Sequence, residues 1–257
     1  MKKLIILFIM IVSQSYSQSS PSGLSKNEIL NYIKELDSII SSNPTALDYY
    51  LRGVQKYHLK EYYDAIEDFD ISINIDQTSK ESYFYRGMCQ ENLKFYKKAL
   101  NDYNQSLMLD PNYEDAISRR AYCKTILNDF EGAIKDYDLL IQLKPSSTSF
   151  NNRGLAYTKI NQSSKSISDF SKALELDPKN IEALENRALA KAMINDKTSI
   201  NDFNRVIELE PKNAKAYYNR AIYTINYKIK GDYCADLRKS LSLGFEEAEK
   251  ILKEVCK

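Results

Sequence analysis

The chain has 257 residues, enough for one elongated repeat domain or two small globular ones. Its 36 basic and 35 acidic residues balance, so it lacks the charge excess of a nucleic-acid or anionic-membrane binder. Only 7 Gly and 6 Pro interrupt it, which predicts helices joined by short turns.

In chain order, residues 1–17 read as a signal peptide. Lys2 and Lys3 form a positive start, Leu4 to Val12 is an apolar run of nine residues, and Ser15 and Ser17 are small residues at a cleavage site. A membrane-spanning helix needs about 20 apolar residues, so the run is too short for a lasting anchor. The expectation is export by the secretory route to the periplasm or the extracellular space, with no membrane span after cleavage. The short signal points to a bacterial cell envelope. Residues 18–24 are a linker. Ser25 and Glu28 then form a capping box that opens a helix over 25–43, striped by Ile29, Ile33, Leu36, Ile39 and Ile40.

From residue 46 the sequence repeats. Arg52, Arg86, Arg120, Arg153, Arg187 and Arg220 are spaced by 34, 34, 33, 34 and 33, each followed by Gly or Ala. Sixteen residues after most of them comes Asp68, Asp102, Asp136, Asp169 or Asp236; Asp202 follows Arg187 by 15. Proline closes several units, at Pro111, Pro145, Pro178 and Pro211. Each unit holds two stretches with apolar residues three and four apart, split by a short polar turn and ended by residues that cannot continue a helix. The units are therefore helical hairpins at 46–79, 80–113, 114–146, 147–179, 180–213 and 214–244. The last is degenerate, with a longer turn over 226–232, and the fifth lacks one turn residue. A closing amphipathic helix is expected over 245–257.

Gly inside a helix costs about 1 kcal/mol relative to Ala and needs a packing reason. Gly53, Gly87 and Gly154 share a position with Ala121, Ala188 and Ala221. A small residue there lets the paired helices approach, opposite Ala65, Ala99, Ala133, Ser166 and Ser199.

This pattern resembles the tetratricopeptide repeat. The shared features are the 34-residue period, the small residue late in the first helix, the alanine opening the second, the aromatic four residues on and the closing proline. The resemblance runs over about residues 46–243. It departs at the usual first-helix tryptophan, which is Tyr, Phe, Ile or Leu here. It implies an all-α fold, a right-handed superhelical solenoid of six hairpins capped at both ends. It also implies a concave surface lined by the first helices, with Tyr50, Val54, Tyr57, Phe84, Met88, Glu91, Tyr122, Thr125, Asn151, Leu155, Thr158, Tyr218 and Ile222. The aromatic and Met-rich N-terminal half suits an apolar peptide or helix.

Three sets of residues remain. The matched Arg and Asp series reads as a structural charge ladder, one salt bridge per unit. Cys234 and Cys256 flank a turn centred near 245, so antiparallel packing would set them side by side for a disulfide. Cys89 and Cys123 read as small core residues. No nucleophile or orienting residue recurs across the units with His58, the one histidine, so it does not read as catalytic. No CxxC, HExxH, phosphate loop or Ser/His/Asp signature occurs, so no cofactor, metal or catalytic site is expected. The function expected is non-enzymatic: an exported scaffold binding another protein or peptide in the groove. The competing reading is an accessory subunit packed permanently in an envelope complex.

Overall fold

The structure is a computed structural model and describes residues 25–256. The signal peptide and linker expected at 1–24 lie outside the described residues. Among these, every regular element is an α-helix, and the chain divides into two compact units at Leu109–Asp110. The first unit holds α1 (Lys26–Ser42), α2 (Ala46–His58), α3 (Tyr62–Ile75), α4 (Lys80–Asn92) and α5 (Tyr96–Leu109). The second holds α6 (Glu114–Ile126), α7 (Phe130–Leu143), α8 (Ser147–Lys159), α9 (Ser163–Leu176), α10 (Ile181–Met193), α11 (Ser199–Leu209), α12 (Ala214–Asn226), α13 (Tyr233–Ser242) and α14 (Glu247–Val255). Hairpins pair α2 with α3, α4 with α5, and so on to α12 with α13.

Several helix starts are capped by side chains. Ser25 and Glu28 exchange hydrogen bonds at the head of α1, and Thr45 and Asp48 do the same at α2. Such caps stabilise a helix by about 1 kcal/mol. The first helix of every hairpin ends on a residue in the left-handed region: Lys60, Lys94, Asn128, Asn161, Asn195 and Lys228, with φ between 50° and 64°. The next amide then donates back five residues, as in Glu61 N to Lys56 O at 3.0 Å and Asp129 N to Lys124 O at 2.8 Å. This motif satisfies carbonyls that the helix end would leave open. Asn tolerates that geometry, which is the one sequence trace the turn leaves.

Each hairpin closes on its small residues. A Cβ added to Gly53 or Gly87 would stand 2.8 Å from the ring of Phe69 or Tyr103. Ala65, Ala99, Ala133, Ser166 and Ser199 are wholly buried opposite. In the two last hairpins the second helix is short. The helices α11 and α13 have 11 and 10 residues, against 14 in the earlier second helices. The left-handed residues Asn195 and Lys228 keep their register, so the difference falls on the first turn of the second helix. Thr198, before α11, makes no side-chain cap bond.

At the C-terminus α14 lays Ala248, Ile251 and Leu252 on the cluster around Ala221 and Leu237. A disulfide joins Cys234 to Cys256 with Cα atoms 5.8 Å apart. Cys89 and Cys123 are free thiols, each fully buried. Burial pushes the Cys89 thiol up to about 12.

Candidate functional site

The ladder residues all pair within their own hairpins. Arg52 bonds Asp68, Arg86 Asp102, Arg120 Asp136, Arg153 Asp169, Arg187 Asp202 and Arg220 Asp236, with Nη2 to Oδ1 at 2.5–2.7 Å. Nε of each arginine reaches the second carboxylate oxygen, so the pairs are bidentate. The aspartates are buried. Asp68 and Asp169 hold the Arg52 and Arg153 guanidinium groups above the usual arginine range. Burial pushes Asp102 upward, against the hydrogen bond from Arg86.

Many of these arginines also reach the preceding helix. Arg52 Nη1 bonds Asp37, Arg86 Nη1 bonds Asp70 and Arg153 Nη1 bonds Asp138, at 2.6–2.7 Å. Tyr49, Tyr83, Phe150 and Tyr217 lie face-on beneath the guanidinium three residues on, at 5.5–5.7 Å. These residues stand where the family's tryptophan is usual. The ladder is thus an internal brace that joins the helices of a hairpin and, at Arg52, Arg86, Arg153, Arg187 and Arg220, ties the hairpin to the helix before it. Its aspartates are committed to the arginines they pair with.

The expected N-terminal groove residues distribute differently. Phe84, 5% exposed, is interior and packs edge-on to Tyr85. Asn151, 1% exposed, donates to Glu182 and accepts from Asn186. Neither lines a surface, because each spends its contacts inside the stack. Tyr50 and Tyr57 both set their rings edge-on to Tyr85 at 5.8 Å, and Phe69 stacks on the same ring at 6.0 Å. Tyr50, Tyr57, Phe69 and Phe84 thus spend ring contacts on Tyr85, the hub of this cluster. Glu91 accepts from Tyr103 Oη at 2.7 Å. Thr125 donates to Ala121 O at 3.0 Å, Met88 is half-buried, and Tyr122 is 44% exposed. His58 closes α2 against the Tyr57 ring, and burial lowers its pKa.

An open cleft of about 530 Å³ lies instead in the second unit, on α8, α10 and α12. Leu155, Leu189 and Ile222 share one register and form its apolar line, with Met193 beside them. Leu189 is 40% exposed and Met193 58%. Phe170 and Phe203, both buried, reach the cleft from the second helices. Tyr223 and Tyr227 bind the carbonyls of Asp196 and Ala192 through their hydroxyls, at 2.7 and 2.8 Å, which fixes that wall. Asn186, Asn219, Asn226, Thr158 and Lys159 supply the polar rim. Such a surface can take apolar side chains in its floor and hydrogen-bond a backbone along its edge. Leu189 and Met193 escaped sequence reasoning, although Leu189 follows Leu155 by 34 residues. Among the described residues, no group of three or more His, Cys, Asp or Glu is placed to hold a metal, and no helix is long and apolar enough to cross a membrane.

Two segments match the family model "Tetratricopeptide repeat", residues 80–113 and 147–180. No curated protein matches the chain. Among solved structures, the C-terminal part of a tetratricopeptide repeat-containing protein from Cytophaga hutchinsonii is 20% identical. It aligns over 87% of this chain and 94% of its own with a TM-score of 0.74. A tetratricopeptide repeat protein from Parabacteroides merdae is 20% identical over 89% of this chain and 92% of its own, with a TM-score of 0.62. YrrB, described as a TPR protein with an unusual peptide-binding site, is 18% identical over 73% of this chain and 99% of its own, with a TM-score of 0.60. The chain therefore has the tetratricopeptide-repeat fold, and carries repeats of that family at 80–113 and 147–180.

Proposed function

We propose that this protein is a non-enzymatic, exported interaction scaffold that grips a segment of a partner protein in the cleft on α8, α10 and α12. One observation carries the reading: exposed Leu189 and Met193 stand in a concave site beside the amides of Asn186, Asn219 and Asn226. Apolar side chains of a peptide bury there, while Asn amides donate to and accept from its backbone. YrrB, a protein of the same fold, is described as having a peptide-binding site, which supports a peptide as the ligand class. Export is supported by the signal pattern of residues 1–17 and by the Cys234–Cys256 bond, which persists in oxidising compartments.

The test is selection of displayed random peptides on the purified chain, repeated with Leu189→Asp and Met193→Asp. Peptides rich in aliphatic residues should be enriched on the parent and lost on both variants. Enrichment that both variants retain would place binding elsewhere.

A further inference from the structure

The brace arginines differ in their second partner. Arg52, Arg86 and Arg153 each place Nη1 on a carboxylate of the preceding helix, at 2.6–2.7 Å. Arg220 places it on the neutral Asn204 Oδ1 at 2.7 Å, and at Arg187 the same atom meets only Ser171 Oγ, at the longer distance of 3.2 Å. That hydroxyl donates its hydrogen to Ile167 O at 2.8 Å, so a lone pair is what it offers Arg187. The first hairpin is the internal control. There Arg52 and Lys56 face two carboxylates, Asp68 and Asp37. In the fifth hairpin Arg187 and Lys191 share one, Asp202, at 2.6 and 2.9 Å. One positive charge is left without the counter-charge its equivalent has.

A cleft of about 370 Å³ opens at this place, lined by Ser171, Leu174, Pro178, Arg187, Asp202 and Arg205. Arg205 bonds Glu208 at 2.9 Å and is 46% exposed, so it can turn part of its guanidinium to the cleft. Glu175, also at the cleft, bonds Lys172 at 2.6 Å. We infer that this cleft is an oxyanion site. A carboxylate or phosphate oxygen takes the place on Arg187 Nη1 that Asp37, Asp70 and Asp138 take on Arg52, Arg86 and Arg153, with Arg205 as the second cation. Charge-assisted bonds of this kind are shorter and stronger than a bond to a serine hydroxyl. The site shares no residue with the cleft on α8, α10 and α12, so it stands whether or not that cleft binds a peptide.

Thermal melting of the whole chain tests it, in sodium phosphate, in sodium acetate and in sodium chloride of equal ionic strength. Phosphate or acetate should raise Tm over chloride by about 2 °C at saturating concentration. A rise in both identifies a carboxylate-type site open to acidic side chains, and a rise in phosphate alone identifies a phosphoryl group. Ser171→Asp supplies the missing carboxylate in place. It should raise Tm in chloride and abolish the anion increment. Arg205→Gln, an exposed position, keeps the fold and should reduce the increment at least twofold. No anion increment in the parent chain, or one unchanged in both variants, would overturn the site.

Discussion

Gly154 faces Phe170 so closely that a Cβ on the glycine would stand 2.7 Å from ring atom Cε1. The ring is fully buried and belongs to the second helix of the same hairpin, so it has little room to retreat. With the helices spaced as they are, an alanine here requires the ring or the helices to shift. Gly154→Ala should destabilise the protein by about 1–3 kcal/mol in urea unfolding. The double variant Gly154→Ala/Phe170→Leu should recover part of that loss, because Ala221 and Leu237 already combine those two residue types at equivalent positions. A Gly154→Ala variant of parental stability would mean the hairpin is not closed by this contact.

The Arg153–Asp169 pair makes a second prediction. Asp169 is buried and bidentate, and its loss leaves a largely buried guanidinium with Asp138 alone. Asp169→Ala should cost about 3 kcal/mol, in the range for breaking a buried pair from one side. Because the pair is shielded from solvent, the loss should persist in high salt. A loss under about 1 kcal/mol that disappears in salt would mark an ordinary surface pair.

His58 gives a pH dependence. Burial lowers its pKa in the folded chain below the unfolded value of about 6.5. The folded state therefore binds fewer protons than the unfolded state below that value. The stability contribution is present above pH 6.5 and is lost as pH falls through the lower folded value. His58→Gln should flatten that part of the stability profile. As the single histidine, His58 can be titrated by proton NMR without assignment. A pKa at or above 6.5 would contradict its burial.

The Cys234–Cys256 disulfide closes 22 residues of sequence and ties the nine-residue α14 to the last hairpin. A helix that short is marginal without tertiary packing. By loop entropy the bond contributes about 3 kcal/mol. Reduction, or Cys234→Ser/Cys256→Ser, should speed hydrogen exchange across α13 and α14 and leave α1–α5 unchanged. Equal exchange in both forms would show that packing alone holds the last helix.

Much of the fold was legible in the sequence because its determinants recur. Arg and Asp fall at matched places in each hairpin, and Gly53, Gly87 and Gly154 mark where helices touch. Partners were less legible. Helical spacing puts Tyr50, Tyr57 and Tyr85 on faces of α2 and α4, but it does not say that they spend those faces on each other. The cleft depends on size at one recurring position. Tyr57 and Glu91 are bulky there, while Thr158 and Ala192 are small and line the open cleft. A residue's smallness marks a cavity only once the neighbours that fail to fill it are known. The left-handed turns left only a faint trace, because three of the six use Lys where Gly or Asn is the favoured residue.

The proposed peptide site lies on α8, α10 and α12. Its most direct measurement is an amide-resolved NMR titration of the chain with a peptide from the selection. The side-chain amides of Asn186, Asn219 and Asn226 should shift together and saturate with the peptide, along with the methyl groups of Leu189 and Met193. Saturating shifts confined to α2 and α4, with those three amides unmoved, would contradict it.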